Sequence, residues 1–393
     1  MFRDFVGWVA AHLKEEDFAA VDIGCSGGID PDWRAFGDRL RVLAFDASAE
    51  ECERLAAAEA HPKIEYVPGF VGLPADHPWM LRRRNAAPPR TTPFSRFSAG
   101  RVVERDRERL RAAPIEEKLR YNEWSLTRLA DPQAPVVAPD VLQARGWTSL
   151  DLLKIDVDGP DFDILQSFDR ALGELGVLGA RLEVFLCGGV EETENVFHNT
   201  DRFMRANDFE LVGFDSRVYS MRALPARFAT TGPAQTRTGR TYQADAFYAR
   251  DPAGQVHGAG RDLLRAAAMR PEKLAKLAAL YALWNQPDSA AEILLAFRKE
   301  LAPLLDVDHG LDLLAAQVQA RSAVDTQGRP DPAPLTYKEY MAAFEAGDPA
   351  FYPPPWSPVT LGRKIAAVVR AWRDPNNVLY PVENGPPRPR RRA

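Results

Sequence analysis

The 393-residue chain has little of what several protein classes require. It holds only three cysteines (Cys25, Cys52 and Cys187), none spaced as in a Cys-x-x-Cys pair, and its histidines show no ligand-pair spacing. These features argue against a disulfide framework and a structural zinc site, and they predict a reducing, cytoplasmic location. The chain also lacks an apolar run of about 20 residues, so neither a signal peptide nor a membrane span is expected.

Excess positive charge is missing as well. The net charge is −5 and the sequence pI is about 5.8, which argues against a protein that binds nucleic acid through its overall charge. Apolar residues make up 46% of the chain, enough for substantial cores. The length predicts two domains of about 100–200 residues each.

A strand–turn–strand unit near the N-terminus is the first pattern that indicates a function. Residues 19–23 form a short apolar run that contains Asp22, and Gly24-Cys25-Ser26-Gly27-Gly28 is a turn of small residues. About twenty residues later, the apolar run 41–46 ends in Asp46. In a doubly wound sheet this layout places backbone N–H groups at one end of a nucleotide and a carboxylate at the ribose hydroxyls.

The glycine spacing separates two kinds of nucleotide site, with an ordinary unliganded strand–turn–helix as the alternative to both. The dinucleotide fingerprint requires glycine where the chain has Ser26 and Ile29. Asp22, Gly24 and Gly28 are spaced in a way that resembles the first motif of class I S-adenosylmethionine methyltransferases. That resemblance implies S-adenosylmethionine as cofactor, whose ammonium suits a nearby acid as a pyrophosphate does not. The expected cofactor-binding residues are Asp22, Gly24, Cys25, Ser26, Gly28, Asp46 and Ala47.

The remaining pattern predicts a Rossmann-like, mostly parallel seven-stranded sheet. A helix over 49–60 and a strand over 63–68 continue the alternation of strands and helices. Residues 209–214 and 244–250 are expected to form the last two strands, paired antiparallel at the edge.

An insertion at about 73–135 interrupts this alternation, since it is rich in proline and arginine. Such an insertion is either a lid or substrate-binding element or a solvated loop. If its basic run Arg82-Arg83-Arg84 faces the site, an anionic acceptor would be attracted.

Candidate catalytic acids follow another apolar strand. Asp156 and Asp158 come directly after the run 152–155, so they are expected at the carboxyl edge, where open α/β sheets bind ligands. His198, beyond the next strand, is the alternative general base. No metal is predicted, although a Mg²⁺ site formed by Asp156, Asp158 and Glu183 is an open alternative.

Two separated motifs, Val21–Gly28 and Leu153–Gly159, together resemble the FkbM-type methyltransferases over about residues 1–251. Asp158 stands where that family usually has glutamate. The resemblance implies a class I fold, S-adenosylmethionine as methyl donor, and O-methylation of a hydroxyl on a sugar, glycan or natural product. The alternative function is a non-catalytic binding or scaffold protein that acts through its helical C-terminal domain. The lack of an acid after the third strand, where many relatives bind the adenine amino group, favours that alternative.

The predicted organisation has three parts. Residues 1–252 form the methyltransferase domain, 260–375 an α-helical accessory domain, and 376–393 a tail rich in proline and arginine that is expected to be disordered. A small-molecule or glycan acceptor is the expected partner, without nucleic acid or a membrane span. Self-association or docking of a partner protein is expected of the helical domain.

Overall fold

The computed structural model describes residues 3–85, 135–157, 159–219, 239–254, 269–322, 334–346 and residue 365. Its strands are β1 (Phe18–Ile23), β2 (Leu40–Asp46), β3 (Ile64–Pro68), β4 (Leu152–Ile155), β5 (Gly179–Phe185), β6 (Glu210–Tyr219) and β7 (Arg240–Ala249). Its first helices are α1 (Arg3–His12), α2 (Ala49–Ala58), α3 (Pro78–Asn85), α4 (Ala138–Ala144), α5 (Asp161–Ser167), α6 (Ala171–Glu174) and α7 (Phe197–Ala206). The later ones are α8 (Pro252–Gly254), α9 (Pro271–Leu283), α10 (Pro287–Ala296), α11 (Arg298–Leu301), α12 (Val307–Ser322) and α13 (Tyr337–Glu345).

The described strands form one seven-stranded sheet in the order β3-β2-β1-β4-β5-β7-β6. The first five strands of this order are parallel, and β7 is antiparallel to both of its neighbours. This order, with an antiparallel pair at one edge, confirms the predicted class I methyltransferase fold. The chain reverses its direction of travel across the sheet between β1 and β4, and ligands of open α/β sheets bind at that point.

Alternation along the strands gives the sheet two different faces. One face carries Val21, Ile23, Leu153 and Ile155 into the main apolar core. On the opposite face, Asp22, Lys154 and Arg181 lie in register on the adjacent strands β1, β4 and β5. Charged side chains are therefore concentrated on one side of the sheet, near its carboxyl edge.

Helix α9 is buried from Leu274 to Leu283, and it packs against α1. The compact unit that contains the sheet extends from Met1 to Val318, so α9 belongs to it, while Gln319–Ala393 forms a second unit. In that second unit, α13 begins with a capping box between Thr336 and Glu339. The division of the chain near residue 252 stays a prediction about independent folding.

Some predicted elements differ in detail. The segment between the glycine turn and β2 forms a 3-10 helix, Trp33–Arg39, which is interrupted at Gly37 with φ of 53°. Helix α10 begins at Pro287 with Gln286 as its N-cap, and proline suits this first helical position. Of the predicted insertion, only residues 73–85 and residue 135 are among the described residues. The predicted tail, 376–393, lies outside them. None of the helices in the described ranges is long and apolar enough to cross a membrane.

Candidate functional site

The glycine turn after β1 packs directly against the end of β4. Gly24 has φ of +93°, and a Cβ atom there would lie 1.9 Å from the carbonyl oxygen of Asp156. The Asp156 N–H donates to the Ile23 carbonyl over 2.9 Å. Only glycine fits this backbone conformation at this distance, so the turn and Asp156 are fixed relative to each other.

The other predicted residues of the turn lie in different environments. Cys25 is fully buried, and burial raises the pKa of its thiol. Ser26 is exposed, whereas Gly28 is half-buried with φ of +102°. The Gly24 and Cys25 N–H groups both donate to the Phe45 carbonyl, at 2.9 and 3.0 Å, so the turn lies beside the end of β2.

The end of β2 continues into a capped helix that holds the turn from its other side. Asp46 Oδ1 accepts the Ser48 N–H at 2.8 Å across Ala47, and Ser48 Oγ accepts the Glu51 N–H as the N-cap of α2. The Glu51 carboxylate in turn accepts the Gly27 N–H at 2.9 Å. Hydrogen bonds from Arg54 and from that N–H lower the pKa of Glu51 to about 2, so this carboxylate is ionised at neutral pH.

A buried ion pair lies directly beneath the turn. Lys154 Nζ donates to Asp22 Oδ1 at 2.7 Å and to the Gly24 carbonyl at 3.3 Å. Asp22 is fully buried; burial raises the pKa of its carboxyl group, and Lys154 opposes that change. Burial also disfavours the charge on Lys154, but the Asp22 and Asp156 carboxylates outweigh it and raise the pKa of the amine.

Asp156 is the more open acid of this group. Its Oδ2 lies 4.0 Å from Lys154 Nζ, and its side chain is 30% exposed, compared with 0% for Asp22. A ligand over the turn can therefore reach the Asp156 carboxylate.

Asp158 falls outside the described residues, but the segment around it is held on both sides. Asp161 accepts the N–H groups of Val157 and Gly159, both at 2.9 Å. Asn195, in the loop after β5, donates to the Gly159 carbonyl at 2.8 Å. These hydrogen bonds anchor the loop that leads from Asp156 into α5.

His198 and Glu183 are not hydrogen-bonded to the cluster of Asp22, Lys154 and Asp156 in the described part of the chain. His198 is exposed in the first turn of α7, and among the described residues no hydrogen bond or ion pair joins it to Asp156. The Glu183 carboxylate accepts a hydrogen bond at 2.9 Å from Arg217, which lies on β6. No group of three or more His, Cys, Asp or Glu side chains in the described ranges is arranged to hold a metal ion. The Mg²⁺ alternative includes Asp158 and so stays open.

The arginines of the basic run in the insertion form ion pairs and hydrogen bonds within the protein. Arg82 pairs with Glu192, and Arg83 pairs with the nearly buried Asp163, to which Trp79 Nε1 also donates at 2.8 Å. Arg84 donates to the Ala75 carbonyl. Arg82 and Arg83 therefore connect α3 to the loop after β5 and to α5, and their charges are paired within the protein, which weakens the expectation that they attract an anionic acceptor.

Three contributors to the site were not recognised in the sequence. Lys154 pairs with Asp22, Glu51 holds the turn, and Arg181 joins Asp30 at 3.1 Å to Asp245 at 2.7 Å. The sequence does contain a signal for the first pair, because the apolar strands β1 and β4 each carry one charged residue and the two charges, on Asp22 and Lys154, are opposite. The others depend on chain segments that meet only in the fold.

Comparisons with known proteins add little to this geometry. No protein family and no curated protein matches the sequence. Solved structures do match, among them the crystal structure of the 23S rRNA methyltransferase ErmE, with 14% identity, 87% of this chain and 96% of that chain covered, and a TM-score of 0.25. A similarity at this level indicates nothing about the site or its substrate.

Proposed function

We propose that the chain is an S-adenosylmethionine-dependent methyltransferase that resembles the FkbM type and methylates a hydroxyl on a sugar, glycan or natural product. The observation that supports this most is the contact between the Gly24 turn and Asp156 at the point where the strand order reverses. A glycine turn there admits a ligand close to the backbone. Asp46, next to the turn, is suited to the ribose hydroxyls.

The charges around the turn fit a cationic donor. Asp22, Asp46 and Asp156 surround it, and Lys154 lies between Asp22 and Asp156. S-Adenosylmethionine carries a sulfonium and an ammonium, whereas NAD presents a pyrophosphate that these acids would repel.

The reaction proposed is an in-line displacement. The acceptor oxygen forms a bond to the methyl carbon while the carbon–sulfur bond breaks and its electron pair stays on sulfur. Holding the three atoms collinear supplies much of the rate enhancement. Asp156 takes the hydroxyl proton, because it is the more exposed of the two acids beside Lys154, with 30% of its side chain exposed compared with 0% for Asp22. Asp158 and His198 are the alternative bases.

Calorimetry with S-adenosylmethionine, S-adenosylhomocysteine and NAD tests the donor. Asp46→Ala is expected to weaken S-adenosylhomocysteine binding by about 1.5–3 kcal/mol, the value of a hydrogen bond to a charged group. Asp17→Ala is the matched control, since Asp17 pairs with Lys63 in an exposed ion pair before β1. Unchanged affinity in a folded Asp46→Ala protein, or tighter binding of NAD, contradicts the proposal. Absence of binding by all three nucleotides would favour the scaffold alternative.

A further inference from the structure

Lys154 contacts three parts of the proposed donor site at once. Its Nζ lies 2.7 Å from Asp22 Oδ1, 3.3 Å from the Gly24 carbonyl oxygen and 4.0 Å from Asp156 Oδ2. The exposed side-chain fraction increases from 0% for Asp22 to 11% for Lys154 and 30% for Asp156. The three groups therefore form a line from the core of the sheet to its open edge, with the lysine in the middle.

A lysine that only balanced the charge of Asp22 would not require the other two contacts. The Gly24 carbonyl belongs to the turn itself, and Asp156 is the proposed base. A protonated amine is a point charge with three donors, so it can restrain an oxygen of each group together. Supporting contacts of this kind hold reacting groups to the small tolerances that catalysis needs.

We propose that Lys154 is a positioning residue of the donor site, whose ammonium fixes the Gly24 carbonyl and the Asp156 carboxylate relative to bound S-adenosylmethionine. This inference rests on the proposed function. The charged groups that face Lys154 are Asp22 on β1, Asp156 after β4 and Arg181 on β5, and Arg181 is itself paired with Asp30 and Asp245.

The test measures the effect of Lys154→Met in two backgrounds, wild type and Asp22→Asn, with calorimetric titration of S-adenosylhomocysteine into the full chain. If Lys154 acts only as the counter-ion of Asp22, its loss has no further effect once Asp22 is neutral. If Lys154 positions Gly24 and Asp156, Lys154→Met weakens binding by about tenfold in both backgrounds, as loss of a charge-assisted hydrogen bond would. The double variant leaves no unpaired buried charge, so it is expected to be more stable than Lys154→Met alone.

A matched control separates positioning from general destabilisation. Lys276 is 2% exposed and pairs with the fully buried Asp151 at the opposite edge of the sheet. Lys276→Met makes the same chemical change, and it is expected to lower stability without changing the affinity for S-adenosylhomocysteine. An equal loss of affinity in Lys276→Met would overturn the proposal.

The other outcomes are also decisive. Unchanged affinity on adding Lys154→Met to Asp22→Asn overturns the positioning role. If the double variant does not fold, Lys154→Arg replaces it: arginine keeps a cation beside Asp22 but not the compact geometry of the amine, so wild-type affinity in that variant overturns the role equally. A wild-type protein that binds no S-adenosylhomocysteine disproves the proposed function itself, before any variant is made, and this inference with it.

Discussion

Two buried acid–lysine groups lie at opposite edges of the sheet. At the amino edge, Asp151 precedes β4; its Oδ1 accepts from Lys273 at 2.6 Å, and its Oδ2 accepts from the Ala19 N–H at 2.8 Å and from Lys276 at 3.2 Å. At the carboxyl edge, Asp22 Oδ1 accepts from Lys154 at 2.7 Å. Both aspartates are fully buried.

The two groups differ in how fully the protein satisfies the acid. Both oxygens of Asp151 are hydrogen-bonded, whereas Asp22 Oδ2 has no partner within the described part of the chain. An unsatisfied buried acceptor is costly, and it is retained where something else supplies the donor. The comparison assigns the Asp151 group to stability, and it shows that the protein satisfies the Asp22 carboxylate less fully than the Asp151 carboxylate.

The largest effect is expected from deleting all residues after 255, because this deletion removes both lysine partners of Asp151. The deletion removes Lys273, Lys276 and the buried length of α9, so Asp151 loses both lysines and β5 loses the side chains that pack over Gly179. We expect the truncated protein to lose cooperative unfolding, as followed by circular dichroism in urea. A truncated protein that unfolds cooperatively and binds S-adenosylhomocysteine would instead support a separate domain ending near residue 252.

Asp151→Ala tests the same group without deleting a helix. Two lysines are left close together and nearly buried, and burial already lowers the pKa of Lys273 although Asp151 opposes it. Breaking such a buried pair costs about 3–5 kcal/mol of unfolding free energy. Urea denaturation should show this loss, with the exposed Asp17→Ala as control at about 1 kcal/mol or less. Weaker S-adenosylhomocysteine binding by the remaining folded protein would show that the two edges are coupled.

Asp156→Asn tests the carboxyl edge. The change keeps the shape of the side chain and removes its charge, so turnover is expected to fall by about 10²–10⁴ if Asp156 is the general base. Donor affinity should be largely kept. The measurement is transfer of a labelled methyl group to a panel of hydroxylated sugars and natural products.

His198→Ala is the paired variant for that experiment. If it abolishes turnover while Asp156→Asn leaves it near wild type, the histidine is the base. Loss of activity on adding EDTA would support the Mg²⁺ alternative with Asp156, Asp158 and Glu183, because only that mechanism needs a metal.

The sequence predicted the sheet well because its strands are short apolar runs with clear ends. The runs 19–23 and 41–46 correspond to β1 and β2 within one residue, and the edge pair β6 and β7 was recognised, although both strands are longer than expected. Short apolar runs and glycine turns are local properties, so the chain shows them directly.

Contacts between distant segments were harder to predict. The pairing of Asp151 with Lys273 joins residues 122 apart, and nothing local to α9 shows that its lysines point into the protein. A lysine on a helix is ordinarily solvated, so the sequence of α9 alone does not indicate this contact with Asp151. The partners of Arg82 and Arg83 were missed for the same reason, because Glu192 and Asp163 are distant in the chain.

The smallest predicted effect concerns Glu51, which accepts the Gly27 N–H from the turn. Hydrogen bonds from Arg54 and Gly27 lower its pKa from 4.5 to about 2 in the folded protein, so Glu51 contributes stability above pH 4.5, and that contribution is lost as the pH falls towards 2. Glu51→Gln is therefore expected to be less stable than wild type by a constant amount above pH 4.5, about 1 kcal/mol or less because the group is near the surface. The difference should shrink between pH 4.5 and pH 2 in urea denaturation.

Glu50→Gln, the exposed neighbour in the same helical turn, is the control. A difference that stays constant down to pH 2 would show that the carboxylate charge of Glu51 does not hold the turn.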